Sequence, residues 1–235
     1  MHFQFKKFTV HQEKSAMKIG TDAVILGAWT PIEHPFSILD IGAGTGIIAL
    51  ILAQRSGAQQ IDALEIDDDA YEECVENFEN SPWNDSLFCY HAAFDEFIEE
   101  MEDEQYDLIV SNPPFYTEDY FSSNEKRDTA RFTEALPFTE LLEGASLLLS
   151  EEGTFSVIIP YKSEEKFIEI AHSHKLFPYK ITRVKGTETS EIKRSLIAFT
   201  KEKKELKEDE LIIEISRHQY TPEYISLTKD FYLKM

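Results

Sequence analysis

From Phe36 onward, short apolar runs alternate with stretches of helical periodicity, and that alternation leaves the chain few folds to choose from. Residues 36–41 read as a buried strand and 46–53 as the helix packed on it. The pairs 60–66 with 68–80 and 86–91 with 94–104 repeat the unit, and 106–111 supplies a fourth strand. Helix 137–149, strand 154–159 after a Glu152-Gly153 turn, and helix 164–174 carry it on. Then the rhythm changes. Strands 179–185 and 195–200 flank a polar linker, 186–194, with no helix between them, the pattern of a hairpin. Parallel βαβ units need helical crossovers, so a terminal hairpin inserts an antiparallel strand. The expectation is an α/β fold: a mostly parallel, seven-stranded sheet with helices on both faces and one antiparallel strand in the C-terminal hairpin. Residues 201–210 read as a charged linker, and 211–216 as a possible edge strand. At 235 residues this is one domain, with an N-terminal segment (1–35), a core (36–200) and a C-terminal extension (201–235).

In such a sheet, ligands sit beyond the carboxyl ends of the strands where strand order reverses. Gly42, Gly44 and Gly46 occupy the first strand-to-helix turn, where glycine lets backbone approach a nucleoside cofactor. Glycines also serve tight packing, so the turn alone leaves both readings open. Glu65 ends the next strand, 19 residues past Gly46, where a carboxylate can accept two hydrogen bonds from a ribose diol. The same arrangement would hold NAD, and Asp40 discriminates. A carboxylate just before the turn repels a pyrophosphate but suits a cofactor carrying an ammonium and a sulfonium. Asp67-Asp68-Asp69 reads as the acidic first turn of a helix.

The run Asn112-Pro113-Pro114-Phe115 closes the fourth strand. The Asn112 side-chain oxygen and the Pro113 carbonyl can each accept one N–H of a planar amine, the two prolines fix the backbone, and Phe115 offers a ring for a base to stack on. Such an amine is a poor nucleophile because its lone pair is delocalised; holding both hydrogens aims that lone pair at an electrophilic carbon. The alternative is a rigid strand-ending turn with Phe115 buried.

The Asp-x-Gly-x-Gly-x-Gly turn resembles that of the Rossmann-like S-adenosylmethionine-dependent methyltransferases, and Asn112-Pro113-Pro114-Phe115 resembles their Asn/Asp-Pro-Pro-Tyr/Phe signature for amines conjugated to a ring or carbonyl. Phe8-Thr9-Val10-His11-Gln12, Ala16-Met17-Lys18-Ile19-Gly20-Thr21-Asp22, Arg127-Asp128-Thr129-Ala130-Arg131 and the ending 220–233 look like the bacterial enzymes that methylate the N6 amine of the adenine beside the anticodon (position 37) of valine tRNA. The likeness spans nearly the whole chain. It implies S-adenosylmethionine as cofactor and tRNA as substrate, with Thr21 and Asp22 at the methionine end of the cofactor and Asn112 beside both ligands. Thr21 is an equally good helix N-cap. An acidic residue after the third strand is common in such enzymes; that place falls at Ala93, and Asp95 is the nearest carboxylate.

Charge complicates an RNA partner. The net charge is −21, but residues 1–110 hold 5 Lys/Arg against 22 Asp/Glu, whereas 111–235 hold 18 against 22. Within 172–204 the balance is +6. Lys180, Arg183, Lys185, Lys193 and Arg194 around the hairpin are therefore candidate phosphate contacts, as are Arg127 and Arg131 at helical i, i+4 spacing. A solvated mixed-charge surface is the competing reading. Cys74 and Cys89 make neither a disulfide framework nor a zinc site, and His172-x-His174 lacks ligand companions, so no metal is expected. The N-terminus lacks a signal-peptide pattern and no run approaches a membrane span, which points to a cytoplasmic protein, expected as a monomer. Three rivals share features of this pattern: a release-factor glutamine methyltransferase, for which residues 1–35 are too few to form the extra helical domain; a guanine-N2 methyltransferase of ribosomal RNA; and a cofactor sensor or RNA-binding protein without catalysis.

Overall fold

The computed structural model describes residues 2–101, 104–114 and 136–235. An antiparallel hairpin, β1 (His2–Gln4) and β2 (Thr9–His11), leads to α1 (Thr21–Trp29). The βα units follow: β3 (Ser37–Ile41), α2 (Ile47–Ser56), β4 (Gln60–Glu65), α3 (Asp68–Glu79), β5 (Leu87–His91), α4 (Phe94–Glu100) and β6 (Tyr106–Ser111). Beyond the undescribed stretch come α5 (Phe138–Leu148), β7 (Leu149–Pro160), α6 (Glu164–Ser173), β8 (Phe177–Lys185), β9 (Ile192–Thr200) and β10 (Lys207–Ile212). A small hairpin, β11 (Glu214–Ser216) and β12 (Gln219–Tyr220), and α7 (Pro222–Thr228) complete the described chain.

The sheet order is β10-β8-β9-β7-β6-β3-β4-β5. Every neighbouring pair is parallel except those of β9, which runs antiparallel to both β7 and β8. The seven expected strands are present, with the antiparallel member in the hairpin. Alternate residues of β3 serve opposite faces: Ile38 joins a core with α1, α2 and α3, while Leu39 and Ile41 join one with α4, α5 and α6. All of Ile47 to Ala53 is buried, because α2 lies between the sheet and α1 rather than against solvent.

Two expectations are corrected. No turn interrupts β7 at Glu152-Gly153: the strand runs on from Leu149, and a register shift between Tyr106 and Leu108 marks a bulge opposite. Gly153 serves that irregularity, since a Cβ there would stand 2.7 Å from Leu149 Cδ1. Residues 207–210 are not linker but the start of an eighth strand, β10, parallel to β8. Its acidic residues face a basic neighbour: Arg183 bonds Glu208 (2.8 Å), Lys185 bonds Glu210 (2.9 Å), and Thr182 donates to Asp209. An edge strand tolerates such charge, and cross-strand ion pairs stabilise the register.

Candidate active site

Strand order reverses between β3 and β6, so the crevice of this sheet opens there. Ile41 is in register with Ser111, and the Ser111 hydroxyl donates to the Ile41 carbonyl at 2.9 Å inside the core. Gly42 and Asn112, the next residues, therefore leave neighbouring strands together, about 4.8 Å apart by strand spacing. The glycine turn and the Asn-Pro-Pro run, 70 residues apart in sequence, are thus brought to one place. Asn112 and Pro114 are half-buried and Pro113 is buried; Phe115 lies outside the described residues.

Gly42, Gly44 and Gly46 all adopt positive φ (72°, 56° and 76°). Their surroundings differ. A Cβ on Gly46 would sit 2.5 Å from Phe78 and 2.8 Å from the Cys74 sulfur, whereas one on Gly42 or Gly44 meets nothing within 4 Å. Gly46 is needed to pack α2 on α3; Gly42 and Gly44 present bare backbone to open space. Glu65 holds this turn in shape, its carboxylate accepting the Gly44 amide at 2.7 Å and those of Ile66 and Asp67 at 2.9 and 3.0 Å. Asp40 is fully buried beneath it. One oxygen accepts the Ala49 amide of α2 at 3.1 Å; the other, Oδ1, has no partner. Burial pushes its carboxyl up to about 7, with the Glu65 charge adding to the shift. A cofactor with an ammonium group fits this cradle on both counts: an orphaned buried acceptor below the turn, and bare glycine backbone above it.

Thr21 is the first residue of α1 and exposed; Gly20 is the cap, without a side-chain bond, so the N-cap reading of Thr21 is not what the structure shows. Asp22 accepts from Arg194 Nε at 2.7 Å. Asp95 stands exposed in the first turn of α4, as a helix-stabilising acid does, and Ala93 is that helix's cap residue.

The basic candidates separate. Arg183 makes a two-pronged pair with Glu164 (2.7–3.2 Å) as well as bonding Glu208, Lys185 is paired with Glu210, and Arg194 with Asp22. Lys180 lies 4.4 Å from the Trp29 ring centroid, its pKa lowered by burial. Much of the +6 surplus is thus neutralised within the fold. Lys193 is exposed. Arg127 and Arg131 lie outside the described residues. No cluster of metal-ligating side chains occurs among the described residues.

Two features escaped the sequence reading. Ile66, beside Glu65 at the carboxyl end of β4, is 52% exposed, an apolar surface at the crevice. Asn77 bonds both the amide and carbonyl of His11 (2.7 and 3.0 Å) and the Thr45 carbonyl of the glycine turn (2.9 Å). Buried Glu73 accepts the Glu13 amide, the Lys14 and Ser15 amides (3.0 and 2.9 Å) and the Ser15 hydroxyl (2.6 Å). The N-terminal segment is thereby fastened beside the turn. In sequence both residues look like the polar face of an acidic helix, and only the chain folded over them reveals otherwise.

Residues 15–166 match the methyltransferase small domain family, which sets this doubly wound sheet and its switch-point crevice among the methyltransferases of the Rossmann-like class. In solved structures the fold recurs in a predicted O-methyltransferase from Agrobacterium tumefaciens, at TM-score 0.71 and 19% identity, covering 89% of this chain and 96% of that one. The chain is 68% identical to the tRNA1(Val) (adenine(37)-N6)-methyltransferase of Flavobacterium johnsoniae, over 99% of this chain and 100% of that protein. It is 47% identical to the enzyme of the same name from Bacteroides fragilis, over 99% and 98%. The chain belongs to the tRNA1(Val) (adenine(37)-N6)-methyltransferase family.

Proposed function

We infer that this protein transfers a methyl group from S-adenosylmethionine to the exocyclic N6 of adenine 37 in tRNA1(Val). The observation that carries the reading is the register of β3 with β6, which sets the Asn112-Pro113 pair beside the glycine turn. When bound, S-adenosylmethionine supplies an electrophilic methyl carbon. Gly42 and Gly44 let the backbone approach it, Glu65 accepts from its ribose hydroxyls, Asp40 balances the charge of its methionine end, and Ile66 offers the apolar face for its adenine. Thr21 lies toward the methionine end, whereas Asp95 is left to helix stabilisation.

Asn112 and the Pro113 carbonyl accept the two N–H groups of the target amine and turn its lone pair toward the methyl carbon. Pro113 and Pro114 keep that carbonyl from swinging, so orientation is fixed before reaction. Phe115, next in sequence, is the ring assigned to stack on the base. No strong base is required, because the proton becomes acidic once the nitrogen is methylated and leaves to solvent. The methylated base is flipped from the anticodon loop, where unstacking is cheapest. Residues 1–35 and 201–235 act with the core as one domain. Lys193, Arg127 and Arg131 are the cations assigned to phosphate.

Incubation with labelled S-adenosylmethionine and tRNA1(Val) lacking the modification, followed by nucleoside mass spectrometry, tests this. Label in N6-methyladenosine is expected. Label in a guanosine, or in protein alone, overturns it.

A further inference from the structure

Beside the methionine end of the methyl-transfer crevice, where Thr21 stands, the N-terminal hairpin, the start of α1 and the C-terminal segment enclose a cleft of about 750 Å³. Its position follows from the sheet. The Ile213 amide donates to the Lys185 carbonyl and that of Glu214 to Gly186, so the floor lies at the carboxyl ends of β8 and β10. Both strands run parallel to β6 in the sheet, and the cleft therefore opens on the rim where Asn112 stands. Three strand spacings separate β8 from β6, about 14 Å.

The wall is aromatic and already assembled. Tyr220 is half-buried with its ring 5.2 Å from that of Tyr224, and Phe3 meets Tyr232 edge-on at 6.1 Å. Gln4 and Thr21 add hydrogen-bonding groups on the wall. In a chain of net charge −21 the lining carries one cation, Lys234, while the two nearest others are held by carboxylates, Lys185 by Glu210 and Arg194 by Asp22. Glu214, also on the wall, turns its carboxylate to the His218 amide at 3.2 Å. Flat rings, polar groups at their edges and a lysine in the lining suit one ligand chemistry, an unstacked nucleobase with its phosphate.

We propose that this cleft holds an unpaired base of the substrate tRNA's anticodon loop, a few nucleotides from the adenine methylated at Asn112. The assignment rests on the tRNA reading above. It explains how an acidic protein fixes the register of a loop: one base is seated at each end of a 14 Å span, and neither site needs a continuous basic surface.

The test uses full-length tRNA1(Val) assembled with single abasic sites in the anticodon loop, with binding to wild type, Tyr220→Leu and Tyr220→Phe measured by fluorescence anisotropy at one ionic strength. At one loop position other than 37, removing the base should weaken wild-type binding about tenfold. Tyr220→Leu should weaken binding of intact tRNA by the same factor, the two losses should not add when combined, and Tyr220→Phe should restore affinity. Calorimetry should find the affinity of Tyr220→Leu for S-adenosylmethionine at the wild-type level, which separates loss of the ring from loss of the fold. Losses that add, or a Tyr220→Leu protein that binds like wild type, overturn the cleft assignment while wild type still methylates the RNA. A wild-type protein that neither binds nor methylates tRNA1(Val) overturns the tRNA reading and the cleft with it.

Discussion

Replacing Gly46 by alanine should damage the protein differently from the same change at Gly42, although both residues sit in one turn at nearly the same φ. Each substitution forces an L-residue into the left-handed region, at about 1–2 kcal/mol. At Gly42 little else opposes it in the fold, since the new Cβ points into open space. At Gly46 that atom stands 2.5 Å from Phe78 Cε1 and 2.8 Å from the Cys74 sulfur, both buried, so α3 or α2 must shift at a further cost of about 1–3 kcal/mol. For a domain of this size 1 kcal/mol moves Tm by about 2–4 °C, which puts Gly46→Ala some ~2–12 °C below Gly42→Ala. Cofactor affinity should rank the other way among folded proteins, because the open space above Gly42 is where the cofactor's backbone contacts are assigned. Differential scanning calorimetry with and without S-adenosylmethionine reads both orders. Equal melting temperatures for the two variants, or wild-type cofactor affinity in Gly42→Ala, would refute the division of labour within the turn.

Asp40→Asn keeps an acceptor for the Ala49 amide and removes a buried charge. With the native carboxyl at about 7 against 3.8 unfolded, the wild type carries no penalty below 3.8 and loses stability as pH rises toward 7, by about 4 kcal/mol at most. The variant's Tm advantage should therefore widen across that window and its cofactor affinity fall; parallel Tm–pH curves would contradict the assignment. Glu73→Ala removes the acceptor of the Glu13, Lys14 and Ser15 amides and of the Ser15 hydroxyl, of which those of Ser15 are buried, a loss of about 2–3 kcal/mol that thermal melts should register as roughly 4–12 °C. These bonds also hold the wild-type Glu73 pKa below its usual 4.5, so its contribution is present above 4.5 and lost as pH falls through the lower native value. Lys193→Ala should weaken RNA binding and reduce the slope of log K against log salt by about 1, whereas Arg183→Ala should chiefly lower Tm by leaving buried Glu164 with the Ser195 hydroxyl but no cation. The reverse pattern in salt titrations and melts would return Arg183 to the interface.

The βα rhythm was legible because buried parallel strands are written as apolar runs, and Gly42, Gly44, Glu65 and Asn112 could be placed from their positions at strand ends alone. What the linear pattern hid was pairing. Lys207 to Glu210 look like linker because they are charged, and Arg183 and Lys185 look like phosphate contacts for the same reason, yet each set cancels the other across the β8–β10 edge. Charge in a sequence does not reveal whether its partner is solvent, RNA or the next strand. Gly153 hid a bulge behind the look of a turn. Glu73 and Asn77, on what resembles an exposed helical face, are buried by a segment some sixty residues upstream in the chain.

The central claim is that Asn112 and its neighbouring carbonyl orient an amine beside the glycine turn, and Asn112→Ala addresses it when methyl transfer to unmodified tRNA1(Val) and calorimetric affinity for S-adenosylmethionine are measured on one preparation. Turnover should fall about 100-fold or more while cofactor affinity stays nearly intact. Near-normal turnover in that variant contradicts the account.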